Sequence, residues 1–100
     1  MACKVEWTEN AQDELNNIYD YLELNWTEKE IQKFSAILEN SISSISIFPF
    51  MFPESRQKPN IRRCVLSKQT TMYYYVNQKL KIISILSLFD NRRNPNSLKI

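Results

Sequence analysis

The stretch IRRCVLSKQTTMYYYVNQKLKIISILSLFDNRRNP, residues 61–95, decides the fold. It holds three consecutive strand-like runs, with one arginine pair at its start and another after its end. In the first run, residues 61–66, side chains alternate between faces. Arg62, Cys64 and Leu66 share one face; Ile61, Arg63 and Val65 share the other. The two arginines therefore point to opposite sides, and only one can share a surface with a given ligand. Ser67, Lys68 and Gln69 make a turn. In the second run, residues 70–76, Met72, Tyr74 and Val76 oppose Thr71, Tyr73 and Tyr75. Asn77 and Gln78 predict a two-residue hairpin turn, because asparagine tolerates positive φ. The third run, residues 80–89, is apolar on both phases: Leu80, Ile82, Leu86 and Leu88 on one, Ile83, Ile85 and Phe89 on the other. That is the pattern of a central strand, covered on both sides or strongly twisted. Residues 90–95 leave the sheet, and residues 96–100 form a loosely held tail.

Working outward, residues 4–7 (KVEW) alternate as a short first strand. Thr8 caps a helix, with Glu9 favourably placed in its first turn. Ala11, Leu15, Ile18, Tyr19 and Leu22 form its apolar stripe, and it ends near Asn25. Thr27 and Glu30 make a capping box for a second helix. Ile31, Phe34, Leu38, Ile42 and Ile45 lie on one face of it, and Pro49 stops it. The short link between helices predicts an antiparallel hairpin. Ten apolar side chains at roughly 1.5–3 kcal/mol each, fully buried, require a sheet to pack on. Residues 50–60 connect helix to sheet; Phe48, Phe50 and Phe52 are expected to close one end of the core. Glu54, Arg56 and Lys58 should be exposed. The fold expected is α+β: an N-terminal strand and an antiparallel helix hairpin packed on one face of a curved, mostly antiparallel four-stranded sheet. Tyr73, Tyr75 and one arginine of the pair can share the other face.

One hundred residues make one domain, spanning 1–100, and the 43% hydrophobic, 24% charged composition is that of a globular chain. No apolar run approaches the roughly 20 residues that span a bilayer. MACKVEWTEN lacks the apolar core of a signal peptide, so a cytoplasmic location is expected. Cys3 and Cys64 read as two buried thiols rather than a disulfide framework. The chain has no histidine and no glycine. The first absence excludes every His-dependent mechanism and, with only two cysteines, makes a metal site unexpected. The second excludes phosphate-cradling Gly-rich loops, and no cofactor is expected. A net charge of +2 permits nucleic-acid contact without arguing for it.

The ordered set of motifs resembles the RelE/ParE toxin superfamily. It comprises Val5, Trp7 and Thr8 before a helix carrying Ala11, Leu15, Ile18 and Tyr21, then residues 61–65 (IRRCV), Tyr74 to Val76, and Arg93 to Pro95. The resemblance implies a bacterial toxin of a type II toxin–antitoxin system, inhibited by a cognate antitoxin that wraps it. RelE-like members cut messenger RNA on the ribosome; ParE-like members poison DNA gyrase. The RelE-like pattern implies basic residues on the second strand, an arginine starting the third, and an arginine plus Tyr or His near the C-terminus. Here Arg62 matches the first. Cys64 stands where a lysine is expected and Thr71 where the arginine is expected. Arg92 and Arg93 can supply the C-terminal cation, but no Tyr or His follows. Cleavage needs charge on the phosphate and a group that moves protons. The pattern is therefore closer to ParE, and the primary reading is gyrase inhibition by binding. The alternative is a ribosome-dependent endoribonuclease, with catalytic candidates Arg62, Arg92, Arg93, Tyr73 and Tyr75. A further alternative is a non-toxic α+β binding module. On that last reading the arginine pairs are ordinary charges on solvated strand ends; on the toxin readings Arg62, Arg63, Arg92 and Arg93 are the candidates for holding target or phosphate, and the sheet edge and helix hairpin are candidate antitoxin docking sites.

Overall fold

In the computed structural model, which describes residues 2–98 and 100, β1 (Lys4–Trp7) leads into α1 (Glu9–Asn25) and α2 (Glu28–Ile47). β2 (Ile61–Val65), β3 (Thr70–Asn77) and β4 (Ile82–Asp90) follow, and a 3-10 turn, Pro95–Ser97, ends the ordered elements. The sheet order is β1-β4-β3-β2, with β1 parallel to β4 and the other pairs antiparallel. The expected α+β architecture is the observed one.

Both helix starts follow from their caps. Thr8 Oγ1 accepts from the Ala11 amide at 3.2 Å, and Thr27 Oγ1 from the Glu30 amide at 3.4 Å. Thr8 also ties α1 to the sheet: its hydroxyl donates to the Ile85 carbonyl at 3.0 Å and its amide to the same carbonyl at 3.1 Å. The apolar stripes meet the sheet through Ala11, Leu38 and Ile45, which join Cys64, Met72, Tyr74, Ile83, Ile85 and Leu88 in one core. Tyr19 and Phe34 cross edge to face at 5.9 Å, and Tyr19 Oη meets Ser35 Oγ at 2.7 Å, locking the two helices together.

A bulge accounts for the two apolar phases of β4. Tyr73 pairs with Ser87 and Tyr74 with Ile85, so Leu86 is the extra residue. Before it, odd-numbered Ile83 and Ile85 enter the core; after it, even-numbered Leu88 does. A single inserted residue exchanges the phases because the side-chain period is two. The carbonyl of Leu86 is taken up from α1, by Asn10 Nδ2 at 3.1 Å and Thr8 Oγ1 at 3.3 Å. Nearby, Glu14 accepts from Asn10 Nδ2 at 2.9 Å and from Ser87 Oγ at 2.8 Å. The irregular point of the sheet is thus fixed by the first turns of a helix.

Three local expectations change. The β3–β4 connection is a four-residue turn rather than Asn77-Gln78 alone, since Asn77 pairs with Ile82. Asn77 Oδ1 accepts from the Leu80 amide at 3.1 Å, and Lys81 takes φ 54°, a conformation that costs a non-glycine residue roughly 1–2 kcal/mol. Leu80 therefore lies in the turn, exposed, and not on the strand. Phe48 and Phe50 do not close the core: both are exposed, and only Phe52 packs against it. Their loop turns instead along the free edge of β2. The Ser55 amide donates to the Ile61 carbonyl at 2.6 Å, and the Arg63 amide to the Pro53 carbonyl at 3.0 Å. The tail is drawn into a turn, with Asn94 Oδ1 accepting from the Asn96 amide at 2.9 Å, and Leu98 is half-buried.

Candidate functional site

β2 sends its two arginines to opposite sides of the sheet, and their environments differ completely. Arg62 pairs in register with core residue Tyr74. Its Nη1 donates to the Phe52 carbonyl at 2.6 Å and, less favourably, to the Phe50 carbonyl at 3.4 Å. Its guanidinium lies 4.8 Å from the Phe50 ring centroid and 3.8 Å from the Glu54 carboxylate. Beside it, Tyr74 Oη donates to the Pro49 carbonyl at 3.0 Å, and burial pushes the phenol up to about 12. Arg62 clamps the 49–54 loop through Nη1.

Arg63 pairs with Tyr73 and faces the open side of the sheet. There it lines a concavity of about 200 Å³ with Arg56, Arg93, Tyr73, Phe89 and Leu98. Among the described residues, no side-chain carboxylate lines this basin. Arg93 stacks over Phe89, 5.6 Å from its centroid, and Phe89 meets Tyr73 edge to face at 6.5 Å. Arg63 Nε is sealed from solvent and has no hydrogen-bond acceptor among the described residues. An unpaired buried donor of this kind costs about 1–3 kcal/mol or more.

Thr71, which stands where an arginine was expected, is buried beside the basin. Its hydroxyl donates to Asn91 Oδ1 at 2.8 Å, while Asn91 Nδ2 donates to the Lys68 carbonyl at 3.2 Å. The position thus supplies a strut under the turn that carries Arg92 and Arg93. Cys64, where a lysine was expected, points into the core; burial pushes its thiol up, against a hydrogen bond with Ser41.

The C-terminal pair is also divided. Arg92 closes bidentately on Asp90, Nε to Oδ1 at 3.1 Å and Nη2 to Oδ2 at 2.9 Å. That hydrogen-bonded pairing holds the Asp90 carboxyl below the usual range. Arg92 and Arg93 both border a second, larger concavity of about 580 Å³, between the distal half of the helix hairpin and the end of the sheet. Ile18, Leu22, Phe34 and Leu88 line it, with Lys33 and Lys68 at the same cleft. Tyr75 stays on the open face, exposed, but does not line the basin.

Of the residues singled out from the sequence, the basin therefore gathers Arg63, Arg93 and Tyr73, and leaves Arg62, Arg92 and Tyr75 elsewhere. Arg56 and Asn91 were not anticipated as site residues. Arg56 lies in a loop with no periodicity to assign its direction. Asn91 carried one usable signal, a turn-forming residue immediately before an arginine pair.

Comparison with known proteins agrees with this architecture. The family model described as the ParE toxin of the type II toxin–antitoxin system parDE matches residues 5–95. No curated protein matches the sequence. Among solved structures, the fold resembles a chain of the chromosomal ParDE system of P. aeruginosa, with TM-score 0.70 and 18% identity over 89% of this chain and 96% of that one. It resembles a chain of the RelBE2 toxin–antitoxin complex of Mycobacterium tuberculosis, with TM-score 0.63 and 14% identity over 91% and 100%. Similarity extends to a mutant of E. coli RelE in the free state, with TM-score 0.61 and 13% identity over 90% and 84%. Identities this low establish a shared fold; the family match over 91 positions, 5 to 95, establishes membership. The chain belongs to the ParE toxin family of type II toxin–antitoxin systems.

Proposed function

We propose that this toxin acts on DNA gyrase by binding it, and that a cognate antitoxin holds it inactive until released. The observation that carries the reading is the make-up of the open sheet face. Three arginines, two aromatic rings and neutral amides meet there, with Thr71 spent on a structural strut and no imidazole anywhere in the chain. Such a face can hold an anionic group. RNA cleavage further requires a positioned proton carrier beside the phosphate, and among the described residues Tyr73 is the one titratable side chain other than arginine that lines the basin. Arg62, the residue that matched the nuclease pattern, is engaged by its own loop on the other side of the sheet.

An antitoxin partner fits both concavities and the exposed apolar side chains Tyr21, Leu24 and Trp26 at the hairpin tip. Its expected neighbour-encoded product should bind the toxin and restore growth when the two are expressed together.

The test is pulse labelling after inducing the chain alone in a bacterial host. Thymidine incorporation should fall first, with protein synthesis continuing. Purified toxin should then inhibit gyrase supercoiling in vitro. Early loss of amino-acid incorporation, with ribosome-dependent cuts in messenger RNA, would instead establish the nuclease activity. No effect from folded, soluble protein would leave a binding module without toxicity.

A further inference from the structure

The basin on the open face is built for one particular guest. Three arginines from separate parts of the chain line it: Arg56 from the loop, Arg63 from β2 and Arg93 from beyond β4. Like charges brought together without a carboxylate repel one another, and the fold tolerates that only where it is offset. Elsewhere in this molecule arginines are offset: Arg92 has Asp90, and half-buried Arg62 has Glu54 and two carbonyls. In the basin, Arg63 Nε is both buried and without an acceptor among the described residues.

We infer that the basin receives the side-chain carboxylate of an acidic segment of a protein partner. A carboxylate matches the fork of a guanidinium bidentately. The walls argue for a peptide over a nucleic acid. Tyr73 and Phe89 are turned edge to face on each other, and Arg93 covers Phe89, which is only 4% exposed. Phe89 therefore offers no open face for a base to stack on, and Tyr73 is itself half-buried against it. Pro95 and Leu98 supply apolar contact for the stem of Asp or Glu and its neighbours. A volume of about 200 Å³ suits one side chain and is small for a nucleotide. This inference rests on the reading that the toxin works by contact with proteins. It is tested separately from toxicity.

The experiment is titration of the full-length chain, labelled so that arginine Nε–H signals are resolved by NMR. The probes are a capped hexapeptide bearing two glutamates beside leucines, its glutamine counterpart, and a single-stranded hexanucleotide. The glutamate peptide should shift the Arg63 and Arg93 signals and leave Arg62 unmoved. The glutamine peptide should bind at least tenfold more weakly. Arg63→Gln should lower affinity for the glutamate peptide by a similar factor; Arg93→Gln provides the same test should the first variant misfold. Preference for the oligonucleotide at these two signals would overturn the inference in favour of nucleic acid. Absence of any shift from either anion would overturn it outright. Either result leaves the pulse-labelling outcome to judge the gyrase reading independently.

Discussion

Arg62 and Arg63 are adjacent in sequence and opposite in physical circumstance. Arg62 has carbonyls, a ring and a carboxylate within reach, and it organises residues 49–54. Arg63 shares its concavity with two other arginines and has a buried donor with no acceptor among the described residues. The same side chain is spent on stability in one place and kept available for a ligand in the other. Alternation along a strand is enough to cause the separation. What each arginine then does depends on which loop or turn covers its face.

The sharpest way to break this contrast is to substitute both in turn. Arg62→Met should destabilise the protein by about 2–3 kcal/mol, because charge-assisted bonds to loop carbonyls are lost and those carbonyls are left unpaired. Arg63→Met should leave stability within about 1 kcal/mol of the parent, or raise it, since an unpaired buried donor is removed. Urea unfolding of the two variants measures the difference. Equal losses would show that Arg63 is structural after all.

Tyr74→Phe extends the comparison on the clamped side. It should cost about 1–2 kcal/mol by orphaning the Pro49 carbonyl. The pH response gives a second readout. The folded phenol titrates near 12 against an ordinary value of 10.0, so its contribution is complete below pH 10 and declines as pH rises towards 12. Unfolding midpoints measured across that window should fall in the parent, and fall less in Tyr74→Phe.

On the open side, Thr71→Val should cost about 1 kcal/mol through the Asn91 strut. It should also loosen the turn that places Arg93, and so weaken anion binding at the basin without touching a basin arginine. A stability loss with unchanged peptide affinity would separate the strut from the site.

The smallest effect belongs to Asp90→Asn. The Asp90–Arg92 pair is largely solvent-exposed, and solvent screening leaves such pairs little weight in stability. Because the folded carboxyl sits below its ordinary value, whatever it contributes is present above about pH 4 and is lost as pH falls through the lower folded value. Acid unfolding of Asp90→Asn should therefore show a flatter low-pH limb than the parent.

These variants also show where the sequence was informative. The helix starts were legible because Thr8 and Thr27 act locally, through bonds to residues three positions away. The opposition of Arg62 and Arg63 was legible because the strand period is two. The phase exchange in β4 was not. A bulge at Leu86 is stabilised by Thr8 and Asn10, more than seventy positions distant in the chain (|i−j| 78 and 76), and no local pattern carries that information. Phe48 and Phe50 misled for the same kind of reason: aromatic residues are usually buried, but this loop follows the β2 edge and leaves them outside.

By itself, then, the sequence determined the order of the elements, the amphipathic faces of both helices, the two-sided display of β2 and the family. The first three follow from periodicity and from caps, which act over a few residues; the family was legible only as the resemblance of an ordered set of motifs. Only the tertiary structure decided which arginines meet. Arg56, Arg63 and Arg93 converge through long-range pairing and a turn held by Thr71 and Asn91, whereas Arg62 and Arg92 are neutralised by carboxylates of their own neighbourhoods. A site made of side chains distant in sequence is a property of chain closure, and closure is set by the packed core rather than by any single stretch.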